Sequence, residues 1–282
     1  MLRHLSFRQF GYCVLLAALA ATPGAAQEGV PLKQQHPWAR FPIGSWKSVR
    51  VVSETLDGNG LVANIIRTET RTTLVAADAQ GYSLRIESTV DVAGKRFVSQ
   101  PQIVKHGYYG ETAGQSVTVK KLGDEELVIG GRAVPSEVRE ATYDAEGIKR
   151  TSKIYISTRV PPYQLRRETT TAGVPVEQAV RTTVETIAIG LPHRVLSEVQ
   201  AAAYVKTTRT SPQGNKVTLE VHCENVPGGV VSHSASETDT SGNTIRRSTL
   251  ELIDYAIGGH PVTADPVTRR RVHNRRAMRR MN

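Results

Sequence analysis

Residues 138–161, VREATYDAEGIKRTSKIYISTRVP, and residues 205–227, VKTTRTSPQGNKVTLEVHCENVP, place the same kinds of residue in the same order. Each stretch has an alternating run, a glycine-containing turn, a second alternating run and a Val-Pro corner. Pro161 of the first stretch corresponds to Pro227 of the second. A unit of this kind cannot bury its apolar face alone, so successive units must continue one sheet or stack against each other.

The repeat continues beyond these two stretches. The first unit closes with VRTTVETIAIG at Gly190, and the second closes with STLELIDYAIG at Gly258. A fainter copy, VRVVSETLDGNGLV, starts at Val49 and has LDGNG where the later copies have YDAEG and SPQGN. The sequence therefore predicts about three repeats, near residues 47–100, 134–190 and 201–258.

Apolar residues recur at every second position within the units, which is the period of a half-buried strand. The residues that share a face in this way are Tyr82, Leu84, Ile86, Val90 and Val92 in one run, and Val217, Leu219, Val221 and Cys223 in another. Asp-Gly, Asn-Gly and Gln-Gly-Asn steps supply the positive φ angles of tight antiparallel hairpins. We therefore predict an all-β fold, a repetitive antiparallel meander sheet that forms an open half-barrel or curved sheet, with few or no helices.

One segment, residues 194–206 (RVLSEVQAAAYVK), fits both a helix and a strand. Its three consecutive alanines favour about three turns of helix. Val195, Val199, Ala203 and Val205 equally fit the alternation of a strand. The sequence supports the two interpretations equally.

The N-terminus has the layout of a secretory signal. Residues 1–26 contain Arg3 and Arg8, then the apolar run GYCVLLAALAA, then small residues ahead of Gln27. An apolar run of this length is too short to span a membrane, which takes about 20 residues. We expect export to the periplasm or the extracellular space, with no transmembrane span after signal cleavage.

Export decides how the cysteines are interpreted. Cys13 lies within the signal, so Cys223 is alone in the mature chain and cannot form an internal disulfide. Its position on the apolar face of a strand predicts a small buried hydrophobe. Stability must therefore come from the core of residues 47–260, which are long enough for one β domain without disulfides.

The formal net charge of +10 belongs mostly to the C-terminus. Removing the seven arginines of residues 268–282 and the two of the signal leaves +1 for the rest of the chain. We predict that residues 261–282 form a disordered tail. Its arginines are candidates for binding an anionic surface: Arg269, Arg270, Arg271, Arg275, Arg276, Arg279 and Arg280. Since export argues against nucleic acid, the expected partner is an anionic component of the envelope.

Residues 27–46 form a lead-in rich in proline and aromatic residues. It contains Trp38, Phe41 and Trp46, in a chain that is only 5% aromatic. We expect these side chains to lie across the sheet as an aromatic plug. The alternative is that they form a stacking platform for a ligand.

No signature of catalysis is present in the sequence. It has no G-x-S-x-G elbow, glycine-rich phosphate loop, H-E-x-x-H or C-x-x-C. His222 and Cys223 are adjacent in a strand and point to opposite faces, so they cannot easily share a metal. Asp124, Glu125 and Glu126 are interpreted as a solvated turn, with metal binding as the alternative. We predict no catalytic residue, no metal site and no cofactor.

The stretch VPSEVREATYDAEGIKRTSKIYISTRVP, residues 134–161, joins a polar hairpin to a Val-Pro corner. With the export signal, this order resembles the periplasmic lipoprotein-carrier family and its half-barrel relatives. It looks equally like exported β-repeat proteins of unassigned activity. The resemblance covers residues 46–258 and implies an open, curved sheet with an apolar concavity for acyl chains. Two features depart from the carriers: the strands are rich in threonine and arginine, and the helices that line the carriers' cavity are not evident.

These observations lead to an expected function. We expect an exported, non-enzymatic binding protein of the periplasm or cell envelope that holds a lipid or other apolar ligand on the concave face of its sheet. The alternative is a structural or anchoring protein whose basic tail binds an anionic surface. An enzyme of unrecognised type is the third hypothesis, and converging acids, bases or histidines with perturbed pKa values would favour it.

Overall fold

Fourteen β-strands follow one short helix in a computed structural model that describes residues 32–112, 115–145, 148–172 and 179–258. The elements are α1 (Leu32–Gln35), β1 (Trp46–Leu56), β2 (Val62–Ala77), β3 (Gly81–Val92), β4 (Lys95–Val98), β5 (Gln102–Gly107), β6 (Ser116–Ile129), β7 (Arg132–Ala145), β8 (Ile148–Ile156), β9 (Gln164–Ala172), β10 (Arg181–Val195), β11 (Glu198–Ser211), β12 (Gly214–Cys223), β13 (Val230–Thr238) and β14 (Thr244–Ala256). The predicted signal, residues 27–31 and the tail 261–282 lie outside the described residues. In the described part of the chain, no helix is long and apolar enough to cross a membrane.

All the strands belong to one antiparallel sheet. Its order is β4-β3-β2-β1-β14-β13-β12-β11-β10-β9-β8-β7-β6, and β5 pairs with the other half of β3. Strands β1 to β4 form one meander and β6 to β14 form a second. The two meet where β1 pairs with β14, with Trp46 opposite Ala256. The predicted all-β antiparallel meander is confirmed, since α1 has only four residues.

The sheet is curved, because a short link joins its two edges. Thirteen strands laid flat would be about 58 Å across at about 4.8 Å per strand. Residues 108–115 nevertheless connect β5 at one edge to β6 at the other, and such a link reaches at most about 32 Å. The edges must therefore curl toward each other. The sheet remains open, since the hydrogen-bonded order ends at β4 and at β6.

Two tyrosines of this link attach it to both halves of the sheet. The Tyr108 hydroxyl donates to the carbonyl oxygen of Asp78, between β2 and β3, at 2.5 Å. On the other side, the Tyr143 hydroxyl of β7 donates to the carbonyl oxygen of Tyr109 at 2.6 Å. The link is thus tied to elements that come from both meanders.

The strand starts follow a regular spacing in the second meander. Strands β7, β8 and β9 begin at residues 132, 148 and 164, and β11, β12 and β13 begin at residues 198, 214 and 230. Each strand of the second group starts the same number of residues after its counterpart in the first group, and Pro227 follows Pro161 by that same number. Equivalent corners therefore lie between β8 and β9 and between β12 and β13. The division of the chain into three repeats stays a prediction.

The apolar core is divided into four clusters along the sheet. The clusters are Val49, Val195, Ala202, Val221, Cys223, Val226, Val231 and Leu252; Ala141, Tyr143, Ile154 and Ile156; Trp38, Leu74 and Leu84; and Ile129, Val134 and Leu165. Cys223 is fully buried, as predicted.

Residues 194–206 are strand rather than helix. β10 ends at Val195, a turn follows, and β11 runs from Glu198 with Ala202 opposite Cys223 of β12. The helix alternative is wrong, because β11 gains hydrogen-bonded neighbours on both sides, whereas a helix of this length would lie alone.

Two other expectations were wrong. The first concerns Asp124, Glu125 and Glu126, which lie inside β6 rather than in a turn. Two of these carboxylates have lysine partners there. The Asp124 carboxylate lies 3.1 Å from the amine of Lys121, and the Glu125 carboxylate lies 3.0 Å from the amine of Lys153. An exposed strand face tolerates such charges.

The second concerns the alternating face of β12, which is buried over only half of its length. Val221 and Cys223 are buried, whereas Val217 and Leu219 remain 41% and 40% exposed. The period-two pattern is correct, but the core cluster lies only under the C-terminal half of this strand. Toward the hairpin with β11 the face that carries Val217 and Leu219 is exposed, whereas Thr218 on the opposite face is buried.

Candidate functional site

The N-terminal segment, residues 32–45, packs onto the sheet through one tryptophan. Trp38 is 8% exposed and contacts Leu74 of β2 and Leu84 of β3. His36 fixes the preceding turn, because its Nδ1 accepts the N–H groups of Trp38 and Ala39 at 3.2 and 3.3 Å. Burial, then the nearby charges of His106 and Arg40, lower the pKa of His36 to about 4. The neutral ring can therefore act as an acceptor at ordinary pH.

The second proline corner, residues 224–229, follows β12 and approaches this segment. The Gly228 N–H holds the corner in place by donating to the Pro37 carbonyl at 2.7 Å. Gly228 has a φ of 75°, and a Cβ there would lie 2.5 Å from the Trp38 ring. Only glycine allows both the turn and the close approach of the ring.

The first proline corner, residues 157–163, completes an open cleft, and the volume of about 270 Å³ around it includes space open to solvent. The cleft thus lies between the N-terminal segment and the two corners that occupy equivalent places in the chain. Its apolar walls are Pro37, Pro161, Pro162 and the ring of Tyr163, and its polar lining includes Gln35, Arg40, His222 and Glu224. Apolar walls with a few convergent polar groups are typical of small-ligand sites.

Arg40, Tyr163 and Glu224 meet at the cleft. Nη1 of Arg40 lies 2.9 Å from Oε1 of Glu224, and the Tyr163 hydroxyl donates to the same oxygen. Burial and the Glu224 carboxylate raise the pKa of Tyr163. Tyr163 also has a φ of 70°, a backbone conformation in which a bulky side chain is uncommon. Such outliers occur more often at functional sites than elsewhere.

A group of charged residues lies behind the cleft, on β1, β12 and β13. The Lys47 amine donates to the carbonyl of Val230 at 2.9 Å. Burial lowers the pKa of Lys47 to about 8, against the opposing charge of Glu220. The Glu220 carboxylate is hydrogen-bonded to Nε2 of His222 at 2.9 Å, and Glu220 lies directly opposite His233 on the neighbouring strand β13.

Glu220 and His233 also have perturbed pKa values. Burial opposes the charge of Glu220, but the hydrogen bond from His222 and the charges around it hold its pKa below the usual range. Burial lowers the pKa of His233, against the charge of Glu220. Such a group can hold or exchange a proton at neutral pH. His222 connects it to the cleft, since this side chain belongs to both.

The three aromatic residues, expected as a plug and alternatively as a ligand platform, lie in two different places. Trp38 is in the core, and Phe41 packs against the same cluster. Trp46 begins β1, with the Cζ atom of Arg71 4.0 Å from its ring centroid. The cleft walls include none of the three. The arginines predicted to bind an anionic surface lie outside the described residues.

The sequence did not identify the residues that line the cleft. Arg40 and Glu224 are far apart in the chain, and neither belongs to a recognised binding or catalytic motif. The Val-Pro corners were visible as equivalent positions of the repeat, and the Pro-Pro-Tyr that follows in the first corner was the available signal. Within the described ranges, no three His, Cys, Asp or Glu side chains are placed to share a metal ion.

Comparison with known proteins identifies no relative. No protein-family model matches the chain, and no curated protein matches it. Three solved structures are similar in part, with TM-scores below 0.3. A "putative lipoprotein" from Parabacteroides distasonis has 11% identity over 77% of this chain and 97% of its own, with a TM-score of 0.28. A "putative exported protein with YmcC-like fold" from Bacteroides fragilis has 8% identity over 76% and 98%, with a TM-score of 0.29. Salmonella typhi OmpF in complex with daunomycin has 9% identity over 74% and 95%, with a TM-score of 0.21.

Proposed function

We propose that the chain is an exported, non-enzymatic binding protein whose ligand occupies the cleft between the N-terminal segment and the two proline corners. The observation that carries the proposal is the convergence of three proline rings and the Tyr163 ring on one opening, with Arg40 and Glu224 beside them. Export rests on the layout of residues 1–26.

The lining selects a class of ligand. Proline and tyrosine rings offer flat apolar surfaces at little entropic cost, because their side chains have few rotatable bonds. Arg40, Glu224 and His222 can hydrogen-bond one polar end of a ligand. A lipid or other small apolar molecule with a single hydrogen-bonding group fits this combination. The enclosed part of the cleft is about 20 Å³, roughly the space of one water molecule, so most of such a ligand would extend out of the cleft along the proline and tyrosine rings.

The cleft is a different place from the concave sheet face on which the sequence predicts the ligand. Lys47 and Glu220 place charged groups behind the cleft, on the strands themselves, and His233 lies opposite Glu220. Charged groups disfavour an acyl chain, because the chain would desolvate them without pairing them. The cleft at the ends of β8 and β12 offers the more apolar surface.

A neutral fluorescent probe tests the proposal. N-phenyl-1-naphthylamine is titrated against the chain that begins at Gln27. Tyr163→Gly removes one wall while keeping the backbone angle allowed, and we expect about tenfold weaker binding. Leu196→Gly is the matched control, because Leu196 also has a positive φ, 55°, and its exposed side chain lies on the β10–β11 turn. Equal binding by the two variants would overturn the assignment of the cleft.

Native mass spectrometry identifies the ligand itself. Protein purified from its own envelope is expected to carry a co-purified apolar molecule, and Tyr163→Gly is expected to carry less of it. Equal occupancy of the parent and the variant would place the ligand elsewhere on the chain.

A second candidate function is anchoring through the C-terminal arginines. Seven arginines with no acid in residues 268–282 repel each other, and the rest of the chain is nearly neutral. On an anionic membrane each basic residue near the surface contributes about 1 kcal/mol.

Vesicle sedimentation over a salt series tests the anchor. Phosphatidylglycerol vesicles are compared with phosphatidylcholine vesicles, using the full mature chain and a variant with all seven tail arginines replaced by glutamine. Binding should require the anionic lipid, weaken as salt shortens the Debye length, and be lost in the variant. Equal binding by the variant would exclude the arm as the anchor.

A further inference from the structure

Two arginines lie against the ring of a tyrosine on β7, away from the cleft. Tyr143 is 1% exposed, and the Cζ atoms of Arg150 on β8 and Arg167 on β9 lie 4.5 and 5.6 Å from its ring centroid. Tyr143 and Arg150 are direct partners across the sheet, so their side chains share a face. Arg167 lies on that face too. It pairs with Ile154 of β8, which pairs with Arg139 of β7, and Arg139 and Tyr143 are an even number of residues apart on the same strand.

Hydrogen bonds hold one of the arginines in place. Nη2 of Arg167 donates to the Tyr143 hydroxyl at 2.9 Å, and its Nε donates to Oγ of Ser152 at 3.3 Å. The Ser152 hydroxyl lies 2.8 Å from that of Thr169. Gly110 of the link approaches Nη1 of Arg167, where a Cβ would lie 3.1 Å away. The guanidinium is therefore positioned by its neighbours, and the link closes over it.

The positive charge of this pair is not balanced by an ion pair in the described part of the chain. Other arginines on the same strands have carboxylate partners: Arg139 pairs with Glu137, and Arg166 pairs with Glu168. Arg150 and Arg167 have none there. The buried Nε of Arg150 has no hydrogen-bond partner, and neither has that of Arg166, so the missing carboxylate is what distinguishes Arg150 from Arg166.

The electrostatics of Arg167 agree with an unbalanced charge. Burial, above all, lowers the pKa of Arg167, and the charge of Arg150 adds to this effect. Tyr143 and Glu111 act in the opposite direction. The Glu111 carboxylate is itself engaged by the N–H of Tyr109 at 3.0 Å. Two half-buried cations on one face without a carboxylate partner are costly unless an anion accompanies them.

We propose that Arg150 and Arg167 form a binding site for a phosphate-type oxyanion, between β8, β9 and the β5–β6 link. A phosphate carries between one and two negative charges at neutral pH, which matches two guanidinium groups better than a carboxylate does. Guanidinium groups present paired donors with the spacing of phosphate oxygens. The hydroxyls of Ser152 and Thr169 supply further hydrogen bonds nearby.

Titration calorimetry with inorganic phosphate, in a low-salt buffer with chloride as the only other anion, tests the site on the full mature chain. We expect one phosphate per chain, bound at least tenfold more weakly by Arg150→Gln and by Arg167→Gln. Arg166→Gln is the matched control: it removes a neighbouring arginine of β9 that stacks on Tyr155 but has its own carboxylate and faces the other way. It should bind like the parent.

Thermal unfolding separates binding from folding. Phosphate should raise the Tm of the parent and of Arg166→Gln but not that of Arg150→Gln or Arg167→Gln. Without phosphate, the latter two variants should melt no lower than Arg166→Gln. If all three variants lose phosphate binding equally, or if the parent binds neither phosphate nor phosphatidylglycerol vesicles, the site does not exist.

A comparison of two phosphate sources identifies the ligand. Glycerol 1-phosphate and phosphatidylglycerol vesicles are compared as ligands of the parent and Arg150→Gln, with the tail arginines replaced by glutamine in both. Loss of glycerol 1-phosphate binding in the variant supports a free phosphomonoester. Loss of vesicle binding alone supports a lipid headgroup. Unchanged binding of both overturns the assignment of Arg150.

Discussion

Arg40 of the N-terminal segment and Glu224 of the second proline corner form an ion pair, with Nη1 and Oε1 2.9 Å apart although the two residues are distant in the sequence. The side chain of Arg40 is 14% exposed and that of Glu224 is 42% exposed. The pair ties the N-terminal segment to the corner that forms one side of the cleft. The ion pair also positions the Glu224 carboxylate, which accepts a hydrogen bond from the Tyr163 hydroxyl.

A double-mutant cycle measures this pair. Arg40→Ala, Glu224→Ala and the double variant are unfolded in urea, and we expect a coupling free energy of about 1 kcal/mol, since one partner remains exposed to solvent. Arg85 and Glu87, which pair at 2.9 Å on the surface of β3, are the control and should couple by less than about 0.5 kcal/mol. Equal coupling in the two cycles would mean that the Arg40 pair is only a surface contact.

The partial burial of β12 leads to a contrast between two equivalent substitutions. Ile154→Asp places a charge at a position that is 1% exposed and should lower the free energy of unfolding by about 4 kcal/mol or more. Leu219→Asp changes a position that is 40% exposed and should cost less than about 1 kcal/mol. Urea unfolding of both variants checks this, and similar losses would contradict the exposure of Leu219.

The thiol of Cys223 is expected to react only after unfolding. The side chain is fully buried, and burial raises its pKa to about 11, so both access and the thiolate fraction are low at pH 8. Ellman's reagent should label the mature chain slowly until denaturant is added. Val199→Cys in a Cys223→Ala background should react at once, because Val199 is 72% exposed. Immediate labelling of native Cys223 would contradict its place in the core.

His36 should make the protein sensitive to mild acid. Its folded pKa of about 4 is below the unfolded value of 6.5, so the native state binds fewer protons between these values. The stability due to the neutral ring is present above pH 6.5 and is lost as pH falls through 4. The loss is at most about 3 kcal/mol.

His36→Asn isolates this effect, because its side-chain oxygen can accept the same two N–H groups without titrating. Urea unfolding at pH 7, 5.5 and 4.5 should show a flatter pH dependence for the variant. The carboxylates that also titrate in acid are common to both proteins and cancel in the difference. Parallel curves for the two proteins would show that His36 is not the titrating group.

Local features of the fold could be predicted from the sequence. The alternation around Leu84 and Ile154 indicated strands, and the glycine-containing turns indicated antiparallel neighbours. The burial of Cys223 followed from its place in such a run. Each of these depends on contacts within a strand or across one hairpin, and their period is set by the backbone itself.

The sheet order could not be predicted in the same way. β1 lies beside β14, and residues 108–115 cross between opposite edges, because many strands compete for each neighbour and a local pattern does not choose among them. The same limit applies to residues 194–206, where helix and strand propensities are nearly equal. Residues 198–206 form a strand because β11 is hydrogen-bonded to β10 on one side and to β12 on the other.

The sequence by itself determined that the chain forms antiparallel strands with period-two faces, because that pattern is a property of neighbouring residues. Only the tertiary structure decided which half of each face is covered, as Leu219 and Cys223 of one strand show. It also decided which charges meet. Arg40 reaches Glu224, while Arg150 and Arg167 both contact the Tyr143 ring and form no ion pair with a carboxylate among the described residues. Pairing and burial depend on the curvature of the whole sheet, which brings together residues that are far apart in the chain.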